Sequence, residues 1–228
     1  MSFNWTQLLP GVTHETSHVA TLVVATVASV GLGFVARAQL GTGQTAVIPA
    51  SRFSVRGLFE IVTEFIYKLA NQVIGHNGRD YVPYFSAVFF FILFNNFIGI
   101  IPGMTPATEN INTTFAMGVF SFLAYNFIGV KKQGLHYLAH FLGPIMWLAP
   151  IMVVIELISH IIRPLTLALR LSNVMRGDHT VLSVFLDLVP IGVPIPFYLM
   201  GFLVCLIQAF VFTLLSMVYV ALAQASDH

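Results

Sequence analysis

Glu156, His160, Arg163, Arg170, Arg176, Asp178 and His179 all fall between Ile151 and Val189, in a stretch whose other residues mostly suit lipid. A central Arg or Asp costs about 2.5–3.5 kcal/mol on membrane-insertion scales, so such a load points to function. Carboxylates and imidazoles take up and release protons, and apolar flanks keep bulk water away. A guanidinium stays protonated, so it cannot relay a proton but can hold a carboxylate and interrupt a chain of hops. A proton path broken by an arginine suits a device in which the proton leaves the path, rides on something else and rejoins beyond the break.

At 100° per residue, Glu156, His160, Arg163, Arg170 and Asp178 fall within about 80° of one another on a helix. Arg176 and His179 fall outside that stripe, so either the helix is interrupted after Arg170 or these two face a second surface. The bland alternative is internal ion pairing, for which Glu156 and Arg163, seven positions apart, are the obvious pair. Arg163 could also snorkel to the interface. Gln208, central in a later apolar run, needs a polar partner, which an interhelical hydrogen bond would also supply. Asn95 and Asn96 read first as helix-to-helix hydrogen bonding. His14-Glu15-Thr16-Ser17-His18 matches the H-E-x-x-H zinc-protease pattern, but Asp187 is the only distant third ligand of any appeal. An intramembrane zinc metalloprotease is therefore the alternative enzyme class, and the expectation is that no metal or cofactor is bound.

The elements that position these residues follow from composition. The chain of 228 residues is 57% hydrophobic and 8% charged, against about a quarter charged in a soluble domain. Its formal net charge of +1, with no block of like charges, offers no footprint for nucleic acid. The one cysteine, Cys205, excludes an intrachain disulfide. Apolar runs able to cross a core about 30 Å thick occur at about 19–36, 84–101, 113–130 and 197–223 and read as upright spans. A basic n-region is missing before the first run, which favours a retained span over a signal peptide. Residues 51–74 alternate Arg52, Arg56, Glu60, Glu64 and Lys68 with Phe53, Leu58, Phe59, Ile61, Phe65 and Ile66, the pattern of an amphipathic helix at the interface. The 39 residues from Ile151 to Val189 would reach nearly twice the bilayer thickness as one helix, so they cannot stand upright. They tilt steeply or fold into a re-entrant hairpin, and Pro164 offers a bend.

The expected fold is an all-α integral membrane protein, a single membrane domain over 1–228, with upright transmembrane helices, a steeply tilted helical hairpin at about 151–189 and an interfacial amphipathic helix. Arg37 to Arg79 holds five basic residues and the third span ends in Lys131-Lys132, while the amino terminus and the 102–112 loop hold none. The amino terminus is predicted outside and the carboxy terminus in the cytoplasm. Related halves with broken helices in matching positions, the mark of a stand-alone secondary transporter, are not seen. A G-x-x-x-x-G-K phosphate loop is missing too, so nucleotide chemistry would belong to partners.

Arg163-Pro164-Leu165-Thr166-Leu167-Ala168-Leu169-Arg170-Leu171-Ser172-Asn173 resembles the signature of the ATP synthase subunit a family, in which an Arg-Pro pair leads to an invariant arginine. The 206–215 run around Gln208 resembles the family's terminal helix, residues 95–103 the end of its second span, and Thr105 to Thr114 the outer loop that follows. The resemblance implies a proton-translocating stator subunit of a rotary synthase in a bacterial plasma membrane, partnered by c-ring and peripheral-stalk b subunits. It implies that Arg170 faces the ring carboxylate with Gln208 beside it. Glu156 and His160 would line the cytoplasmic half-channel, and Asn173, Asp178, His179 and Glu109 the outer one. Two departures stand out: Asn173 comes one position earlier than usual after the arginine, and Gly201 replaces a group that is titratable in some members.

Overall fold

The computed structural model describes residues 5–8, 13, 16–40, 54–75, 78–134, 149–188 and 194–224. Among these residues there are six α-helices and no strand: α1 Ser17–Ala38, α2 Val55–Val73, α3 Gly78–Ile98, α4 Ile111–Gln133, α5 Ala149–Leu188 and α6 Pro194–Gln224. Five of them, all except α2, are long and apolar enough to cross a membrane. The chain is an all-α integral membrane protein, and much of its outer surface is apolar: Val27, Phe34, Phe127 and Ile195 are each at least two-thirds exposed. In lipid such a surface carries no cost, since the surroundings are as apolar as the side chains.

The helix α2 is the amphipathic segment expected from the sequence. The Ser54 hydroxyl caps it by accepting from the Gly57 amide at 3.1 Å, which satisfies one of the orphan donors of the first turn. Its buried side, Ile66 and Ala70, lies against α3, where Phe59 stacks on Phe90 with centroids 4.2 Å apart.

The expectation of a hairpin within 151–189 is overturned, because α5 is one uninterrupted helix of 40 residues. Pro164 lacks the amide that would bond four residues back, yet a neighbouring helix supports the bend it would otherwise cause. That neighbour is α4, which comes so close at Gly118 that a Cβ there would sit 2.6 Å from the Pro164 carbonyl oxygen and 3.3 Å from the Ala168 Cβ. At 1.5 Å per residue α5 is about 60 Å long, so the length argument against an upright span stands while the fold-back does not. The long pair is α5 with α6, joined near Phe185 and Phe197, whose rings stack 4.1 Å apart. Pro194 opens α6, where a missing amide costs nothing.

The core lies around α6, which packs against α3, α4 and α5, with Phe85, Ile92, Leu167, Leu171, Phe212 and Met217 almost fully buried. Ser121 of α4 and Ser216 of α6 hydrogen-bond at 2.9 Å within it, so neither hydroxyl is stranded in apolar surroundings.

Candidate functional site

Because α5 is continuous, it carries every polar residue of the stripe in one fixed register, and its neighbours sort them into two clusters with Arg170 between. The first cluster forms against α4. His160 is buried, and its Nε2 lies 2.8 Å from Asn126 Oδ1. Asn126 Nδ2 donates to the Phe122 carbonyl at 2.8 Å, which fixes the amide with its oxygen toward the imidazole. His160 therefore carries its proton on Nε2, and Nδ1 accepts a long contact of 3.5 Å from the Tyr125 hydroxyl. The Phe122 and Tyr125 rings stand edge-on to the imidazole at 5.0 and 5.4 Å. One turn before it, Glu156 Oε1 lies 3.6 Å from Arg163 Nη2. Arg163 also lies over the Tyr219 ring, 5.7 Å from its centroid. The ion pair foreseen as the bland alternative thus forms, and Arg163 is a held side chain.

The second cluster forms where α5 passes the short 3-10 turn Ala107–Glu109. His179 Nδ1 is 3.5 Å from Glu109 Oε2. Ser172 Oγ and Arg176 Nη2 donate to the Glu109 backbone carbonyl at 2.9 and 3.2 Å. Thr108 Oγ1 donates to Asn96 Oδ1 at 2.7 Å, and Asn96 Nδ2 donates to the Cys205 carbonyl at 3.5 Å. The turn is thereby tied to α3, α5 and α6 at once. Arg176 and His179 face a second surface of an unbroken helix, which decides between the two readings of their register. Asp178 lies against α6, its Oδ2 2.9 Å from where a Cβ on Gly201 would sit. Two clefts open here: one of about 250 Å³ lined by His179, Tyr198 and the 99–105 loop, and one of about 10 Å³ bordered by Asn96, Asp178, His179 and Gly201. The smaller has room for about one water.

Between the clusters, Arg170 is exposed and makes no hydrogen bond or ion pair among the described residues. Gln208 is buried in α6, and the structure does not bring the two into hydrogen-bond contact. Asn173 is exposed and joins neither cluster. Sequence reasoning missed Tyr125 and Asn126, the Thr108–Asn96 bond, and the clamping role of Ser172 and Arg176. A tyrosine-amide pair in the apolar run of α4 was the available signal for the first; the others depend on tertiary placement. His14 and Glu15 of the zinc-like pentapeptide lie outside the described residues, and among the described ones no three metal-ligating side chains are grouped.

A family profile described as ATP synthase A chain matches residues 19–221, from the first turn of α1 to near the end of α6. The chain belongs to the ATP synthase A chain family. It is 69% identical to ATP synthase subunit a of Bdellovibrio bacteriovorus over the whole of both chains. It is 46% identical to ATP synthase subunit a of Geobacter sulfurreducens over 77% of each chain, and 41% identical to ATP synthase subunit a 2 of Syntrophotalea carbinolica over 91% of this chain and 84% of the relative. As a member of the ATP synthase A chain family it is a multi-pass membrane subunit of that complex rather than a stand-alone catalyst, and neither the zinc protease nor the lone transporter finds support.

Proposed function

We propose that this chain is the stationary proton-conducting subunit of the synthase, set against a ring of c subunits so that protons cross by two offset half-channels. The observation that carries this reading is Arg170: a guanidinium near the middle of a long apolar helix, exposed and without a partner among the described residues. Lipid does not tolerate a bare charge at that depth, so the partner comes from another chain, and a carboxylate on the ring suits a cation that cannot deprotonate.

The spacing supports the division of labour. Arg170 is ten positions from His160 and nine from His179, about 15 and 13.5 Å along the helix, far beyond the roughly 3 Å of one hydrogen bond. Protons enter from the outer side by way of Glu109, His179 and Asp178 and pass to a ring carboxylate, which turns away into lipid once neutral. They leave through His160 and Glu156 after the carboxylate returns to Arg170 and ionises. At 4 Å and an effective dielectric near 20, a guanidinium attracts a carboxylate by about 4 kcal/mol, enough to favour release of the proton. Gln208 is buried in the neighbouring α6, and its place beside Arg170 in this reading rests on the family resemblance. Basic loop residues put the amino terminus outside a bacterial plasma membrane and the carboxy terminus inside; peripheral-stalk b subunits hold the chain against the torque.

Arg170→Ala should abolish proton-driven ATP synthesis in vesicles carrying assembled complex and raise passive leak, while Arg163→Ala, already paired with Glu156, should lower it only a few-fold. Near-normal coupled synthesis in Arg170→Ala would sink the mechanism.

A further inference from the structure

Away from both clusters, α1 stands partly off the bundle, burying only Thr21, Ala25 and Ala36. Two cavities lie beneath it. One, of about 670 Å³, is apolar and runs between the Leu22–Val30 part of α1 and the facing sides of α3 and α4, including Phe91, Ala116 and Phe120. The other, of about 680 Å³, opens where α1 ends and α2 and α3 begin, and is lined by Arg56, Glu60, Glu64, Tyr67 and Arg79. Phe59 borders both, so a charged mouth adjoins an apolar chamber. From Ala36 at the mouth to Leu22 in the chamber is fourteen positions, about 21 Å of helix, more than the roughly 15 Å that is half of a 30 Å hydrocarbon core.

The mouth is balanced in charge, with two guanidinium and two carboxylate groups. Arg56 is engaged with Glu60, Nε to Oε1 at 2.5 Å, and its Nη1 donates to the Gln39 and Leu40 carbonyls at 3.3 and 3.4 Å. Among the described residues Glu64 pairs with the largely exposed Lys68, at 2.7 Å, a pair of little strength in water. Arg79 is exposed and makes no hydrogen bond or ion pair among the described residues. The apolar chamber repeats at its mouth the division of an amphiphile, and a neutral mouth with separated charges suits a dipolar headgroup better than an anionic one.

We propose that mouth and chamber together bind one phospholipid with an ammonium-bearing zwitterionic headgroup. Its phosphate sits at Arg79, its ammonium on the Glu64 side, and an acyl chain passes Phe59 into the chamber. A primary ammonium donates three hydrogen bonds to carboxylates, which a quaternary one cannot, so phosphoethanolamine is preferred to phosphocholine. The site is separate from the proton path, and its failure would leave that reading untouched.

The test uses assembled complex in nanodiscs containing phosphatidylethanolamine, phosphatidylcholine and phosphatidylglycerol in equal parts, followed by detergent release and native mass spectrometry of retained lipid. One phosphatidylethanolamine should stay with each copy of the chain, enriched about tenfold or more over the bulk. Arg79→Ala combined with Glu64→Gln, both at exposed positions, should cut that retention about fivefold or more. Ala116→Phe, which fills the chamber and leaves the mouth intact, should do the same. Unchanged retention in both variants, preference for phosphatidylglycerol or phosphatidylcholine, or stoichiometric cross-linking of a protein segment to a cysteine placed at Ala87 would each overturn the proposal.

Discussion

The two ends of α5 meet the rest of the chain in different ways. At the Glu156–His160 end the partners are all borne on helices: Asn126 and Tyr125 of α4 hold the imidazole, and the carboxylate already has Arg163 of α5 itself beside it. At the Asp178–His179 end the key carboxylate, Glu109, sits on a three-residue turn that helps itself little and is pinned from outside by Ser172, Arg176 and, through Thr108, by Asn96. Helix-borne groups inherit their positions from backbone hydrogen bonds within the helix, whereas a turn borrows its position from its neighbours. One end therefore has a carboxylate whose charge is met locally, and the other has an acid whose buried Oε2 makes no hydrogen bond among the described residues and lies 3.5 Å from His179 Nδ1.

The largest expected difference lies in those two acids. Glu109→Gln removes the one charge that His179 meets on the turn and should lower coupled ATP synthesis about tenfold or more, an effect worth roughly 1.4 kcal/mol per decade. Glu156→Gln, with Arg163 still seated over the Tyr219 ring, should cost only a few-fold. Equal losses, measured as synthesis rate per assembled complex in vesicles, would break the comparison.

A smaller effect tests whether the α4–α5 crossing is rigid. Gly118→Ala places a Cβ 2.6 Å from a backbone oxygen of Pro164, and backbone in a packed helix pair cannot step aside. Overpacking of this kind costs about 1–3 kcal/mol, so the variant complex should unfold at lower temperature, with His160 dragged from Asn126. Unaltered thermal stability would mean that α4 and α5 slide freely. Asn126→Leu should do less: it strands His160 Nε2–H, whose desolvation costs about 1–3 kcal/mol, partly relieved by rotation of the ring. A few-fold fall in proton flux, with assembly kept, is the expected reading.

How far these arrangements were legible in the sequence depended on whether a helix or a turn carried them. The spans, the amphipathic α2, the stripe of Glu156, His160, Arg163 and Arg170 and the Glu156–Arg163 pair all follow from period and length, because helical register is a local property. The continuity of α5 through Pro164 was not legible, since a proline permits a bend without requiring one, and the close approach of α4 at Gly118, about fifty positions away in the chain, is a tertiary contact. The clamp on Glu109 was equally hidden: Ser172 and Arg176 reach it across more than sixty positions, and nothing in a serine or an arginine announces that its target is a distant carbonyl. Gln208 beside Arg170 rests on family resemblance, as does the role given to Asn173.

The smallest expected effect is also the cleanest contrast with Gly118. A Cβ on Gly201 would meet Asp178 Oδ2 at 2.9 Å, with the rest of that carboxyl group no nearer than 3.7 Å. The obstacle is the far end of a flexible side chain next to a cleft, so rotation about its side-chain bonds can clear it by a few tenths of an ångström at a cost well under the roughly 1–3 kcal/mol of true overpacking. Gly201→Ala should therefore leave assembly and thermal stability unchanged and alter proton flux by no more than about twofold, through the small displacement of Asp178. Gly201→Leu extends the side chain into the space that Asp178 shares with His179 and should cost more flux with stability still held. A Gly201→Ala complex as destabilised as Gly118→Ala would show that α6 is pressed against α5 at the outer end as tightly as α4 is at the crossing, and the distinction between a yielding outer cluster and a rigid inner one would fail.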